Sequence, residues 1–494
     1  MKAHNTLPHL SALAGIGTLC LLWTGLASSP SPQEAKPVPA VSQPKKLIEE
    51  AATAPQTPEA EPEQITETFT PTASYQEFAL AAYRKLAQGL DGNPAAENLL
   101  FSPVSIGVVL DSLRLGARHT TATELEQVLG LPAGPVVPAA DSSAEREAPT
   151  EETSNETASP VIDSTLSYCQ PSPVSKALKA FGGSGEMILR LANALWVSPR
   201  AKLNPDYAPQ LKAVFGTTAS PLDFTQTVPA AATINRWTQE HTENMIAKIV
   251  EPGDFNGNTR LAITNATYFK ADWERAFPID KTMGAPFTLG DGSTITVPLM
   301  STSGQFRHAT LEDGTQVLEL PYTQGQASLM VVLPKDTGAL ATLEQALTPQ
   351  WLKQTLGQLK TKTVHVSLPR FEIDAPTPAK TLLQALGVET LFSESEANLS
   401  GISQSEPLYI TAFKHQAKLR VDEQGSEGAA ATAAIAGVRS FRPEPTAFRA
   451  DRPFLFALRE HTSNQLLFLG RLTRPEAMTD PPSDQDAATT KHRP

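Results

Sequence analysis

The sequence predicts an α+β fold, a single large mixed domain over residues 74–476. Three observations lead there. Short β-type runs and longer helical runs occur in groups and not in strict alternation, which disfavours a doubly wound sheet. The 494 residues would allow about three average domains. Once the Pro-rich and polar stretches are set aside, however, no internal break divides the roughly 340–360 residues that remain. One large domain is the simpler reading.

The stretches set aside are an N-terminal leader, a linker, an insertion and a tail. Lys2 is the only formal charge before Glu34, and the apolar run Leu10–Ala27 follows it. Residues 1–29 read as an export signal, with cleavage near Ala27 or Ser29; an uncleaved membrane anchor is the alternative. Cys20 lies in this run, but Leu19 stands where lipidation needs a small residue. Residues 30–73 form a Pro-rich linker. Over 28–73 there are nine prolines, seven Glu and three Lys, too few large apolar groups to offset ordering. The insertion 133–175 has six prolines, seven acids and only Arg146 as a base. A polar tail, 477–494, closes the chain.

Prolines are 42 of 494, about 8.5% against a usual ~5%, and much of that excess falls in these additions. So does the charge. Of the net −12, the linker carries −4 and the insertion −6, so the folded part is nearly neutral. An extended nucleic-acid surface needs clustered Lys and Arg, which this chain lacks. Two cysteines cannot build a disulfide framework.

Along the domain, Tyr75–Gly89 reads as an amphipathic helix through Phe78, Ala82, Leu86 and Leu90. A second helix follows Phe101-Ser102-Pro103, with proline at its start, and Thr120–Leu129 is a third. Strands are expected at Met187–Val197, Leu261–Phe269, Val317–Leu320, Ser328–Leu333, Val364–Leu368 and Leu466–Leu472. Helices are expected at Tyr207–Phe215, Ala230–Ile249, Leu340–Leu347 and Ala379–Leu386.

Enzyme signatures are missing. There is no Cys-x-x-Cys, no His-Glu-x-x-His and no Gly-Lys dipeptide for a phosphate loop. Gly182-Gly183-Ser184-Gly185 is a turn and not a nucleophile elbow. The nine His are scattered without metal-ligand spacing, and His415, with no Ser or Cys motif beside it, reads as a structural hydrogen-bonding group. Neither a cofactor nor a metal is expected, and the chain does not read as an enzyme.

One segment breaks local rules. From Glu423 to Ala436 nearly every side chain is small, and Gly437-Val438-Arg439-Ser440 and the Pro-flanked Phe441–Pro445 follow. Propensity makes the Ala run a helix, whereas its exit reads as a loop. A third reading is a strand in waiting. Alternate residues from Ser426 are Gly428, Ala430, Thr432, Ala434 and Ala436, small enough to cover an existing core. Glu427, the one charge, falls on the other face with Ala429, Ala431, Ala433 and Ile435.

Here the chain resembles the serpins, over nearly all of 74–476. The resemblance rests on Asn98-Leu99-Leu100-Phe101-Ser102-Pro103-Val104-Ser105-Ile106 and on Ile263–Trp273. Leu368-Pro369-Arg370-Phe371, Leu386-Gly387-Val388, Asn398-Leu399-Ser400-Gly401, Asp451–Phe456 and Leu467–Arg471 recur in family order. It implies a five-stranded central sheet, two further sheets, eight or nine helices and an exposed reactive-centre loop. In inhibitory members a serine protease attacks that loop and forms an acyl-enzyme. The cut loop then enters the central sheet as a new strand and distorts the protease before it can deacylate.

The resemblance also assigns residues. Seventeen residues counted from the hinge Glu423 end at Arg439, which places the scissile bond at Arg439–Ser440. Arg suits the carboxylate-based pocket of trypsin-like proteases. The hinge would comprise Glu423, Gly425, Ser426, Glu427, Gly428, Ala429, Ala430, Ala431 and Thr432. Ser102, Ser105, Asn265 and His415 match the polar cluster where the sheet parts, and Trp273 the place where the loop enters. Gln416, Ala271 and Gly428 depart from the usual Lys, Gly and Ala. The acidic insertion, flanked only by Lys176 and Lys179, argues against heparin-type activation. A monomer in the extracellular or cell-envelope space, with a trypsin-like protease as partner, is the expectation.

Overall fold

A computed structural model of the chain describes residues 70–90, 97–131, 187–426 and 445–478. The first elements are α1 (Thr70–Gln88), β1 (Leu99–Phe101), α2 (Pro103–Arg114), α3 (His119–Val128) and β2 (Ile188–Val197). Next come α4 (Tyr207–Phe215), β3 (Thr218–Pro221), α5 (Thr227–His241), β4 (Leu261–Asp272), β5 (Met283–Thr288) and β6 (Thr294–Thr310). Then follow β7 (Gln316–Pro321), β8 (Ala327–Leu333), α6 (Leu340–Ala346), α7 (Pro349–Gln358), β9 (Lys360–Pro369) and β10 (Phe371–Thr377). The last are α8 (Ala379–Ala385), β11 (Ile410–Val421), β12 (Gly425–Ser426), β13 (Thr446–Arg449), β14 (Phe454–Glu460) and β15 (Leu466–Leu472).

The strands form two hydrogen-bonded networks. The smaller has the order β10-β11-β4-β2-β3, with the two-residue β12 added to β4. The larger runs β1-β15-β14-β8-β7-β6-β9-β13, with β5 on β6. Two of the three expected sheets are joined in it by the 17-residue β6. Its first part, Thr294–Leu299, pairs with β5; Leu299–His308 pairs with β9, and Arg307–Thr310 with β7. A strand this long can leave one sheet and enter another.

In the smaller sheet, β4 is antiparallel to β2 but parallel to β11. That parallel seam is the feature on which the site is built. Beneath it lies α2, whose residues Pro103–Leu113 are all buried and which packs against both β4 and β15. Pro103 opens the helix, where its missing N–H costs nothing, and Ser102 caps it by accepting from Ser105 N–H at 3.3 Å. Phe101, Phe269, Phe456 and Phe468 fill the main core between the two sheets.

The helix expected at Ala230–Ile249 is a correction: it ends at His241. Glu243 (φ 52°) and Asn244 (φ 65°) are left-handed, which a right-handed helix cannot accommodate. The apolar spacing continues through the buried Ile246 and Val250, so the sequence pattern overruns the stop. The Asn235 carboxamide takes over from the helical ladder, accepting from Ile249 and Val250 N–H at 2.9 and 3.1 Å. The α1 helix begins at Thr70, ahead of its expected start at Tyr75. No described helix is long and apolar enough to cross a membrane. The leader, most of the linker, the insertion 133–175 and the tail beyond Met478 lie outside the described residues.

Candidate functional site

The register of the smaller sheet sets three polar side chains in a row. Asn193 on β2 pairs with Asn265 on β4, and Asn265 pairs with His415 on β11. Paired residues share a face, here the one turned to the start of α2. Asn265 Nδ2 donates to Ser105 Oγ at 2.7 Å, to Ser105 O at 3.1 Å and to Asn193 Oδ1 at 2.5 Å. Ser105 Oγ also donates to Asn193 Oδ1 at 3.3 Å. Ser102 Oγ donates to Leu467 O at 2.7 Å, tying the helix cap to β15.

His415 closes the row across the seam. Its Nε2 accepts from Ser102 N–H at 3.0 Å, and its Nδ1 donates to Asn265 Oδ1. Both contacts are satisfied only by the neutral ring with its proton on Nδ1. Burial pushes the pKa down from 6.5 to about 3, with the Asn265 contact opposing. A proton added at Nε2 would meet the Ser102 N–H head on. Ser102, Ser105, Asn265 and His415 are each 1% exposed or less. The structure thus brings all four predicted residues of this cluster together and adds Asn193, which the sequence reading missed. The available signal was a second Asn inside an apolar strand.

The other end of the seam is built differently. Pairing between β11 and β4 stops at Lys418 and Tyr268. Beyond it, Gly425 and Ser426 pair antiparallel with Asp272 and Ala271. A Cβ on Gly425 would stand 2.1 Å from Ala271 O, so only glycine lets the chain approach here. Ser426 is fully buried, with its Oγ 2.7 Å from Tyr322 Oη, whose own burial raises its pKa. Trp273 stacks on Tyr322 with centroids 4.5 Å apart and donates from Nε1 to Asp422 O at 2.9 Å.

Asp422 shapes the turn into β12. Its Oδ1 accepts from Gln424 and Gly425 N–H at 2.9 and 3.3 Å, and its own N–H donates to Gly425 O at 2.9 Å. Glu423 is held by Thr282 Oγ1, which donates at 2.7 Å, and by Arg370 at 3.6 Å. Its carbonyl accepts from Phe277 N–H at 2.8 Å. Glu423, Gly425, Ser426 and Trp273 therefore meet at one end of β4. Tyr322, Asp422, Thr282 and the role of Arg370 had no local sequence signal, because tertiary pairing alone brings them there. Glu427, Gly428, Ala429, Ala430, Ala431, Thr432, Arg439 and Ser440 lie outside the described residues.

The buried polar atoms of the row hydrogen-bond one another and the backbone, which ties the three strands to the start of α2. Among the described residues, no group of three His, Cys, Asp or Glu is placed to hold a metal ion.

Comparison with known proteins agrees with this architecture. The family model described as Serpin (serine protease inhibitor) matches residues 73–475. Neuroserpin of Rattus norvegicus is 30% identical over 422 residues, which covers 84% of this chain and 94% of that protein. Antithrombin-III of Mus musculus is 31% identical over 434 residues, covering 87% and 86% respectively. The crystal structure of Serpin48 from the insect Tenebrio molitor superposes with a TM-score of 0.67 at 26% identity, covering 83% of this chain and 100% of that one. The chain belongs to the serpin family.

Proposed function

We propose that this chain is an irreversible, suicide-substrate inhibitor of trypsin-like, Arg-specific serine proteases, cut at Arg439–Ser440. The protease serine would attack the Arg439 carbonyl carbon, and the peptide bond to Ser440 would break. Ser440 leaves as a new α-amino group, while Arg439 stays bound as an ester. Hydrolysis of that ester competes with entry of the hinge into the sheet.

The observation that carries the reading is the parallel seam with a strand begun at one end. An antiparallel strand placed between two parallel neighbours pairs well with both. Continuing the register of Gly425 and Ser426 sets Gly425–Ala436 along the whole of the 12-residue β4. It places Gly428, Ala430, Ala434 and Ala436 on the buried face, where small residues fit. Thr432 falls opposite Asn265 and, through the β4–β11 register, opposite His415. Its hydroxyl can replace the His415–Asn265 hydrogen bond that insertion must break.

Incubation with trypsin followed by denaturing electrophoresis tests this. A persistent covalent adduct, with release of the C-terminal fragment that begins at Ser440, is expected. Arg439→Ala should abolish the adduct with Arg-specific enzymes, and an undiminished adduct would overturn the bait assignment. Gly428 supports a second reading, a non-inhibitory serpin cleaved as a substrate or acting as a binding or chaperone-like protein. Glycine lowers strand propensity and raises the entropy lost on insertion. Complete cleavage with full recovery of protease activity would favour that reading. Export through residues 1–29, a monomeric state and independence from heparin-type polyanions belong to the same proposal.

A further inference from the structure

We infer that a cleft between α1, α6 and the end of β15 is a binding site for a small amphipathic organic anion. The cleft has a volume of about 450 Å³, within the range of small-molecule sites. It is lined by no residue of the six-stranded sheet, so it is separate from the hinge and the polar row.

Its walls are apolar and its cations are unequally committed. Ala87, Leu289, Leu340, Ala341 and Pro453 supply the walls. At the floor, Arg471 and Glu344 are both buried and paired at 2.8 Å, and Tyr83 Oη donates to the same carboxylate at 2.7 Å. That charge is neutralised within the protein. Arg84 donates to Leu347 O, and its guanidinium lies 3.4 Å from the exposed Glu77.

Arg474 differs. Its backbone is pinned by Asn98, whose Oδ1 accepts from Arg474 N–H at 3.0 Å and whose Nδ2 donates to Arg474 O at 2.8 Å. The facing carboxylate, Asp291, is engaged by Ser293, which donates from Oγ at 2.6 Å and from N–H at 2.8 Å. Arg471 is thus balanced by Glu344 and Arg84 by Glu77, while Arg474 meets only Asp291, an exposed carboxylate that interacts with it less strongly than with Ser293. The lining favours one negative head at Arg474, with a compact apolar body against Leu289, Leu340 and Pro453. Arg suits such a head because its planar donors match carboxylate or sulfonate oxygens.

The probe is anilinonaphthalene sulfonate, with the neutral N-phenylnaphthylamine as its uncharged counterpart, each titrated by fluorescence on the intact folded chain. Saturable binding of the sulfonate at one site is expected. Arg474→Glu, at an exposed position that leaves the core untouched, should weaken the sulfonate about tenfold, the scale of one charge-assisted contact. The neutral probe should change little. Ala341→Trp, which fills the cleft, should remove both, with a thermal melt to confirm the fold. Unsaturable binding, or sulfonate binding by Arg474→Glu at parental strength, would overturn the proposal. So would loss of both probes equally in Arg474→Glu. The outcome does not depend on protease inhibition.

Discussion

The two ends of the β4–β11 seam solve opposite problems. Its middle is closed by side chains that hydrogen-bond across it, His415 to Asn265 and onward to Asn193 and α2. Its upper end is held open by a two-residue strand, glycine packed on backbone and serine capped by Tyr322. Closure in the middle uses polar atoms that can be satisfied by other partners, whereas the open end uses shape and aromatic packing. A seam with both features can part from one end without losing its register at the other. Partnerless buried hydroxyls add to the contrast: Thr267, Thr377 and Thr411 lie on β4, on β10 and within β11. Such groups cost about 1–3 kcal/mol each when left without a partner.

The largest effect should come from charging the open end. Ser426 is fully buried beside Tyr322, so Ser426→Arg forces a long charged side chain into a closed site. Burying that charge and bulk costs several kcal/mol, enough to expel β12 and block propagation behind it. The variant should still be cut at Arg439, but as a substrate, with free protease recovered. The readout is the number of inhibitor molecules consumed per protease molecule inactivated, and an unchanged ratio would show that the hinge does not enter here.

A smaller effect is expected in the middle. His415→Ala leaves the Ser102 N–H and one Asn265 acceptor without partners, a cost of about 2–6 kcal/mol for two buried groups. Thermal unfolding should fall, and spontaneous sheet opening should quicken. Acid provides a reversible version. The His415 pKa of about 3 lies below its value of 6.5 in the unfolded chain, so the unfolded state binds the extra proton. This contribution to stability is complete above pH 6.5 and is lost progressively as the pH falls from there towards 3. Urea unfolding at a series of pH values should show the decline, and His415→Gln should flatten it. An equal decline in the variant would assign it to other groups.

This contrast also decides what was legible in the sequence. Ser102, Ser105, Asn265 and His415 sit inside motifs whose spacing is local, and each could be named before its neighbours were known. Asn193 could not, since its role depends on standing opposite Asn265 across two strands 72 residues apart. The same holds for Tyr322 beneath Ser426, and for Arg370 beside Glu423. The strand β11 is hidden in the sequence for a related reason. In β11, Lys414, Lys418 and Arg420 interrupt the apolar residues, and the ion pairs that hold Lys414 and Lys418 come from Asp254, Glu372 and Asp374 on other elements. Conversely, Tyr207–Phe215 and Leu466–Leu472 follow from the sequence to the residue, because the left-handed Gly216 stops the first and a buried, mainly apolar run defines the second.

The smallest test concerns the outer face, where the two halves of the seam should differ least. Continuing the β12 register places Glu427 opposite Lys270 on β4, and the β11 register carried two residues past Lys418 places it opposite Arg420 as well. Arg420 is now paired with Asp422 at 3.2 Å, whereas Lys270 is half-buried at the edge of the gap. If the hinge enters the sheet as proposed, the Glu427 charge is tolerable where the strands on either side present the opposite sign. Cross-strand pairs of this kind contribute about 0.2–1 kcal/mol, and like charges directly opposite cost a similar amount. Lys270→Glu should therefore leave the native fold and the cleavage rate unchanged, while slowing insertion by a few-fold. The double variant Lys270→Glu with Glu427→Lys should restore the parental partition between adduct and cleaved inhibitor. Failure of that rescue would mean that Glu427 does not enter opposite Lys270, and that the register at the open end does not propagate down the seam.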